Sequence, residues 1–352
     1  MINLKKVIIK LPPYEVPQEA LIKLNQNESP YDIPEECKKE ILEQMERVSW
    51  NRYPPEDPTD LIKALADYTQ HPPEGIVIGN GSNELILASM LATCNKGDSV
   101  TVVRPGFALY PYLAKILQLK LREVRLRKDF SFNIGRLLRN AHQSKVLYLA
   151  TPNNPTGTTL ELEQIANLAS VRQCMIVVDE AYYEFHGQTA QRLTLKYPNL
   201  LILRTFSKAF GLAGIRLGYL LAHPDVAKQI VKAKLPFSVG TFPILVASCL
   251  LHRKNLIDET VRMIISERTF LFEGLKNIPG IKPIPSRANF ILFVLQGLSA
   301  DMVFRRLYEK GILVRKFSHP ELKNMLRVTV GRHDENSTFL AELGKIIGGL
   351  NA

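Results

Sequence analysis

The sequence predicts an α/β protein: a large domain with a mostly parallel central sheet flanked by helices, followed by a smaller α+β domain. Three observations carry this expectation. From about Glu35 to Gly240, short apolar runs alternate with segments of helical periodicity, the pattern of successive βαβ units. The residues best suited to chemistry stand directly after those runs, where the strands of an open parallel sheet end on a cleft. Beyond Gly240 the pattern changes to one long helical region, about Val246 to Leu275, and then to short strands near Phe290–Val294 and Arg327–Val330.

Residues 1–34, rich in Pro and Asn, read as an extended arm that joins the small domain. Residues 35–240 make the large domain, with strands expected at Ile76–Ile78, Ser99–Val103, Val146–Leu149, Met175–Val178, Leu200–Leu203 and Arg216–Leu221. Runs such as Met175-Ile-Val-Val are apolar throughout, as strands covered on both faces must be. Helices fall between them, Asn83–Cys94 and Leu160–Ser170 among others, and residues 241–352 supply the linking helix and the small C-terminal domain. At 352 residues and 46% apolar content, the chain can bury a core of this size.

The most informative stretch is Arg204-Thr-Phe-Ser-Lys-Ala-Phe-Gly-Leu-Ala-Gly-Ile-Arg216. It places Lys208 among small residues just past a buried strand. Lysine is the side chain that condenses with a carbonyl to form a Schiff base, the standing partner of pyridoxal 5'-phosphate. The hydroxyls of Thr205 and Ser207 and the guanidinium of Arg216 suit a phosphate nearby. Asp179 ends the run from Met175, where a carboxylate could keep a pyridine nitrogen protonated; Tyr182, three residues on, could reach a ring hydroxyl. Asn154 offers an amide from the rigid turn Thr151-Pro-Asn-Asn-Pro-Thr-Gly157. Gly79-Asn-Gly-Ser-Asn-Glu84 opens a helix with glycines, backbone amides and the Ser82 hydroxyl, a ready phosphate site. With Glu84 at the third glycine position, it is not a dinucleotide fingerprint. Phe107 could supply a flat face for a ring.

Composition narrows the field further. Four cysteines without Cys-x-x-Cys spacing argue against a disulfide framework or a zinc site and for a reducing compartment; the seven histidines form no metal-binding pattern. The net charge of +11 is spread along the chain apart from Arg122–Lys128, with no nucleic-acid-binding motif beside it. A positive field that draws in phosphorylated substrates and an anionic cofactor explains it more simply. No nucleic-acid or membrane partner is expected, and the location expected is cytoplasmic, since no apolar run approaches the ~18 residues of a membrane span.

Taken together, these segments resemble the fold type I pyridoxal-phosphate aminotransferases, and among them the histidinol-phosphate aminotransferase family. The resemblance runs from Leu24-Asn-Gln-Asn-Glu-Ser-Pro30 to Leu326-Arg-Val-Thr-Val330, nearly the whole chain. It implies that Lys208 carries the cofactor, that Asp179 pairs with its pyridine nitrogen, and that Asn154 and Tyr182 contact its ring hydroxyl. Gly81, Ser82, Asn83, Ser207 and Arg216 match residues that hold its phosphate, and Phe107 one that stacks on its ring. Tyr53 matches a tyrosine that reaches the cofactor phosphate of a partner subunit, so a homodimer is implied. On the substrate side, Arg327 matches the residue that binds a carboxylate or the substrate phosphate bidentately, Arg315 one that assists, and Asn25 and Asn289 fall on substrate-side motifs. The reaction implied is the reversible exchange between histidinol phosphate and 2-oxoglutarate, giving imidazole-acetol phosphate and glutamate, in histidine biosynthesis. Asn83 stands where many members carry aspartate, and Phe107 where others carry tyrosine. Pro105–Tyr110 and Pro236–Val239 also resemble segments of threonine-phosphate decarboxylase, which leaves that activity open beside a broad aromatic-amino-acid aminotransferase.

Overall fold

The computed structural model describes residues 4–11 and 19–351. Twelve strands run in chain order as β1 (Ile22–Leu24), β2 (Ile76–Gly79), β3 (Ser99–Arg104), β4 (Lys120–Arg125), β5 (Val146–Ala150), β6 (Met175–Asp179), β7 (Leu200–Thr205), β8 (Gly218–Leu221), β9 (Ile281–Pro283), β10 (Phe290–Leu295), β11 (Ile312–Lys316) and β12 (Met325–Thr329). The helices are α1 (Lys6–Lys10), α2 (Glu35–Glu46), α3 (Thr59–Thr69), α4 (Gly81–Thr93), α5 (Leu109–Ile116), α6 (Ile134–Ala141), α7 (Leu162–Ala169), α8 (Tyr183–His186), α9 (Pro224–Lys232), α10 (Thr241–Leu251), α11 (Lys254–Lys276), α12 (Ala300–Glu309) and α13 (His333–Asn351).

Seven strands form one sheet in the order β2-β8-β7-β6-β5-β3-β4. All its pairings are parallel except those of β8, which runs antiparallel to both β2 and β7. Every residue of β5, β7 and β8 is buried, which is why Val146–Ala150 and Leu200–Leu203 read as unbroken apolar runs. Side-chain alternation then splits the core in two. Val146, Tyr148, Val177, Leu201 and Leu203 face α4, α5 and α9, while Leu147, Leu149, Ile176, Val178 and Ile202 join a larger cluster on the other face. That second cluster continues into a five-stranded sheet, β1-β11-β12-β10-β9, antiparallel but for the β1–β11 pair.

Several local expectations need correction. The arm is not extended throughout: it carries α1 and then β1, which pairs Ile22 with Ile312 and Leu24 with Val314. The basic run Arg122–Lys128 hides part of β4, an edge strand in which only Val124 is buried; charges suit an edge because they block pairing with another chain. The last strand of the large sheet starts at Gly218 rather than Arg216, because Arg216 adopts a left-handed conformation with φ +58°. The long helical region is two helices, α10 and α11, broken where Arg253 leaves helical geometry at ψ +44°.

Candidate active site

Adjacent strands bring the site together. β5, β6 and β7 lie side by side, so the turn that carries Asn154, the carboxylate of Asp179 and the segment Thr205–Lys208 emerge at neighbouring C-terminal ends. Opening of an open parallel sheet at that edge is what makes it a ligand site.

At one end of the cleft is a cradle of donors. α4 begins at Gly81 with no side chain capping its first-turn N–H groups, and Glu84 instead accepts from the Asn80 N–H at 2.6 Å and from Ser238 Oγ at 2.9 Å. Gly81 has φ +72°, and a Cβ there would lie 2.6 Å from Arg216 Nη2; a Cβ on Gly218 would lie 2.5 Å from the Ser82 nitrogen. Only glycine lets the helix terminus, β8 and the guanidinium approach this closely. Arg216 Nη1 donates to Ser207 Oγ at 3.3 Å, and Thr205 Oγ1 donates to Ser207 Oγ at 3.0 Å. Helix N–H groups, two hydroxyls and an arginine make a site for a phosphate dianion. Asn83 sits on this turn with its side chain exposed.

The centre of the cleft is lined for a flat, polar-edged ring. Asp179 is buried; its Oδ2 accepts from Tyr110 Oη at 2.7 Å and its Oδ1 from the Ala181 N–H at 3.0 Å. Loss of hydration raises its pKa, while the two hydrogen bonds and the Lys208 cation pull the other way. Tyr182 accepts from Asn27 Nδ2 at 2.9 Å and from Asn154 Nδ2 at 3.3 Å. With two amide donors on its oxygen, its own hydrogen is left to donate to a third group. Phe107 is half-buried and meets the Tyr110 ring edge-on, 5.4 Å between centroids. Lys208 is half-buried and donates from Nζ to the Gln26 carbonyl at 3.0 Å. Burial first, and then the Arg327 cation, push its amine down to about 8.

The small sheet supplies the far wall. Arg315 and Arg327 are direct partners across β11 and β12. Arg327 is buried, donates to Asn154 Oδ1 and to the Asn25 carbonyl at 2.6 Å each, and lies 5.1 Å from the Phe290 ring centre. Burial lowers its pKa to about 10, which still leaves it charged at neutral pH. Asn289 donates to the Asn27 carbonyl at 3.1 Å; Asn289 Oδ1 and Asn25 Oδ1 are buried without a partner.

Tyr53 is not brought into this cleft: it is 82% exposed and stacks on Phe237 at 4.9 Å, and the exposed Asn83 side chain only borders the cradle. The sequence reading passed over Tyr110, Asn27 and Thr329. Asn27 has φ +55°, and its N–H donates to Thr329 Oγ1 at 2.9 Å. Its signal is the run of three amides Asn25-Gln-Asn27 directly after β1; Tyr110 stands three residues after Phe107.

The donor set fits pyridoxal 5'-phosphate: a dianion cradle, an anionic partner for a ring nitrogen, a hydroxyl donor for a ring oxygen and a lysine amine lie within one cleft. Among the described residues, no group of three or more His, Cys, Asp or Glu is placed to hold a metal, and no helix is long and apolar enough to cross a membrane.

Residues 19–343 match the family model for aminotransferase class I and II. The chain is 40% identical over 337 residues to the histidinol-phosphate aminotransferase of Chlorobium phaeovibrioides, covering 95% of this chain and 93% of that protein. It is 38% identical over 347 residues to that of Prosthecochloris aestuarii, covering 97% of each. Among solved structures, histidinol-phosphate aminotransferase from Sinorhizobium meliloti in complex with pyridoxal-5'-phosphate superposes with a TM-score of 0.91 over 99% of both chains, at 24% identity, a likeness of fold. The family match over residues 19–343 and relatives 38–40% identical along nearly their whole length place the chain in the class I and II aminotransferases and, within them, in the histidinol-phosphate aminotransferase family.

Proposed function

We propose that this chain is a pyridoxal-phosphate-dependent transaminase that exchanges the amino group of histidinol phosphate with 2-oxoglutarate, giving imidazole-acetol phosphate and glutamate in histidine biosynthesis. The observation that carries the reading is the position of Lys208, within electrostatic reach of Asp179 and of two arginines, Arg216 beside the phosphate cradle and Arg327 on the small sheet. One guanidinium serves the cofactor, the other the anionic substrates.

In this reading Gly81, Ser82, Asn83, Thr205, Ser207 and Arg216 hold the cofactor phosphate, Phe107 covers one ring face, and Asp179 accepts the ring N–H. When bound, pyridoxal phosphate supplies a conjugated cationic ring that takes up the electron pair left at the substrate α-carbon. Tyr182 donates its hydrogen to the ring oxygen, fixed in that direction by Asn27 and Asn154. Lys208 would hold the cofactor, and its free amine would take and give back the substrate α-proton on Nζ; a base so positioned is worth ~10²–10⁴-fold. The lowered basicity of its amine suits that exchange near neutral pH. Arg327, assisted by Arg315, receives the carboxylate of the oxo acid and, in the other half-reaction, the phosphate of the amino donor; its fork matches either anion. Asn25 and Asn289, with buried oxygens lacking partners, complete the substrate side. Donor and acceptor occupy the same cleft in turn, a ping-pong scheme.

The division into arm (1–34), cofactor-binding domain (35–240) and small C-terminal domain (241–352) belongs to the same reading. So do a cytoplasmic location and a homodimer in which Tyr53 serves the neighbouring active site. The exposed Tyr53–Phe237 stack, with Trp50 at 77% and Leu235 at 72% exposure nearby in sequence, supports a second copy there; sedimentation that finds a stable, active monomer would overturn it.

The function is tested by a single turnover with histidinol phosphate and no oxo acid. The band of lysine-bound cofactor is expected to give way to that of the aminated cofactor, and Lys208→Ala is expected to lack the first band altogether. An unchanged spectrum rejects the substrate, and carbon dioxide released from threonine phosphate would establish the decarboxylase instead.

A further inference from the structure

We propose that Tyr110 is a positioning residue that keeps the proton of the cofactor's ring nitrogen on the ring, by donating its own hydroxyl hydrogen to the carboxylate of Asp179. The proposal rests on the reading that Asp179 meets that nitrogen. Tyr110 is 2% exposed and its Oη lies 2.7 Å from Asp179 Oδ2. Its ring is held on both sides, stacked on Tyr148 at 5.2 Å and 25° and meeting Phe107 edge-on. Tyr148, in the same stack, spends its hydroxyl on Ser89 Oγ at 2.6 Å and on the Ile86 carbonyl at 3.3 Å, turned to the interior of α4. A buried tyrosine needs some partner for its hydroxyl. Tyr148 finds main chain and serine; Tyr110 finds a carboxylate whose other oxygen already has the Ala181 N–H.

A proton shared by a buried carboxylate and a ring nitrogen can rest on either. Burial favours the neutral pair, because it strips water from both ions. Each hydrogen bond donated to the carboxylate favours the ion pair, with the proton on the ring. The other groups that face Asp179 are few. Glu180 opposes its charge but is itself paired with Arg204 at 3.0 Å; Tyr182 is neutral; Lys208 helps only while its amine is charged. That leaves Tyr110 and the Ala181 N–H as the standing supports of the anion. Loss of the Tyr110 hydroxyl lets the proton shift toward Asp179, and the ring loses the positive charge that makes it an electron sink and that acidifies the linkage to Lys208.

The test is a pH titration of the visible absorbance of the holoenzyme, wild type against Tyr110→Phe and Tyr148→Phe. The Tyr110→Phe midpoint is expected to rise by about one pH unit, tenfold in the proton equilibrium, with kcat falling about tenfold and KM within about twofold. Tyr148→Phe, which removes a hydroxyl from the same stack, is expected to leave the midpoint in place. The NMR resonance of an isotopically labelled ring nitrogen should move toward that of unprotonated pyridine in Tyr110→Phe alone. A Tyr110→Phe midpoint and resonance equal to wild type, or equal shifts in both variants, would overturn the proposal. A wild-type holoenzyme without a lysine-bound band would instead overturn the reading on which it stands.

Discussion

Arg327 on β12 and Asn154 in the turn after β5 are joined by a 2.6 Å hydrogen bond that ties the small sheet to the large one. Asn154 passes the order on, donating from Nδ2 to Tyr182. A lysine at position 327 would keep the charge but could not serve Asn154, the Asn25 carbonyl and a substrate anion from one fork. Charge-assisted hydrogen bonds are worth ~1.5–3 kcal/mol, so Arg327→Lys should raise KM for both the amino donor and the oxo acid by about 10-fold or more. Steady-state kinetics on both substrates check this, and unchanged KM values would remove Arg327 from the anion site.

The two glycines of the phosphate cradle should fail differently. An alanine at Gly81 meets the movable tip of Arg216 but must hold φ +72°, a strain of ~1–2 kcal/mol. An alanine at Gly218 meets backbone, the Ser82 nitrogen at 2.5 Å and the Gly81 carbonyl carbon at 2.8 Å. Gly81→Ala is therefore expected to fold and to lose cofactor affinity about tenfold through the displaced guanidinium. Gly218→Ala should lower Tm as well. Cofactor titration and thermal unfolding of the two variants separate the effects, and equal behaviour would contradict the geometry.

Lys208 gives a stability signature with a defined sign. Its amine sits at about 8 in the folded protein against an ordinary 10.5. Below pH 8 both states hold the proton, and the folded cofactor-free protein carries the full penalty of a poorly hydrated charge. Between about 8 and 10.5 the folded state sheds that proton while the unfolded state keeps it, so this contribution to stability rises with pH. Lys208→Met removes the penalty, and should stabilise the cofactor-free protein at pH 7 by about 2 kcal/mol, with the advantage shrinking above pH 8. Chemical denaturation of wild type and variant across that range reads it directly; a constant difference would mean the amine is hydrated in the fold.

Legibility in the sequence followed the distance over which residues interact. Lys208, Asp179 and the β-strands before them were readable because burial on both faces forces unbroken apolar runs, and an ionisable residue directly after one is conspicuous. Asn27 and Tyr110 were not, since their roles arise from contacts with Tyr182 and Asp179 across 155 and 69 residues of chain. β4 was hidden because an edge strand is free to be charged, so Lys120–Arg125 carries no apolar signal. The role expected of Tyr53 comes from the resemblance alone; within one chain its ring only stacks on Phe237.

The same long-range logic governs the pair behind the site. Glu180 follows Asp179 at the end of β6, and Arg204 precedes Thr205 at the end of β7; the two are 1% exposed and paired at 3.0 Å. Thr189 Oγ1 and the Ala190 N–H donate to the same carboxylate at 2.7 Å each, and the guanidinium lies 3.6 Å from the Tyr183 ring centre. The pair thus fixes the spacing of the two strand ends that present Asp179 and the Thr205–Lys208 segment. Its net worth against an apolar pair is small, since both ions gave up water, but an ion left alone there is costly, ~3–5 kcal/mol. Glu180→Gln should therefore lower Tm sharply and weaken cofactor binding, because the Arg204 charge loses its counterion. The double variant Glu180→Gln, Arg204→Met removes the orphaned charge and should recover much of the Tm. Its cofactor affinity should stay below wild type, because the strand ends are no longer clamped. Thermal unfolding and cofactor titration on the single and double variants decide it: a double variant less stable than Glu180→Gln alone would mean that Arg204 supports the fold chiefly through Tyr183 and Thr189 rather than through its ion pair.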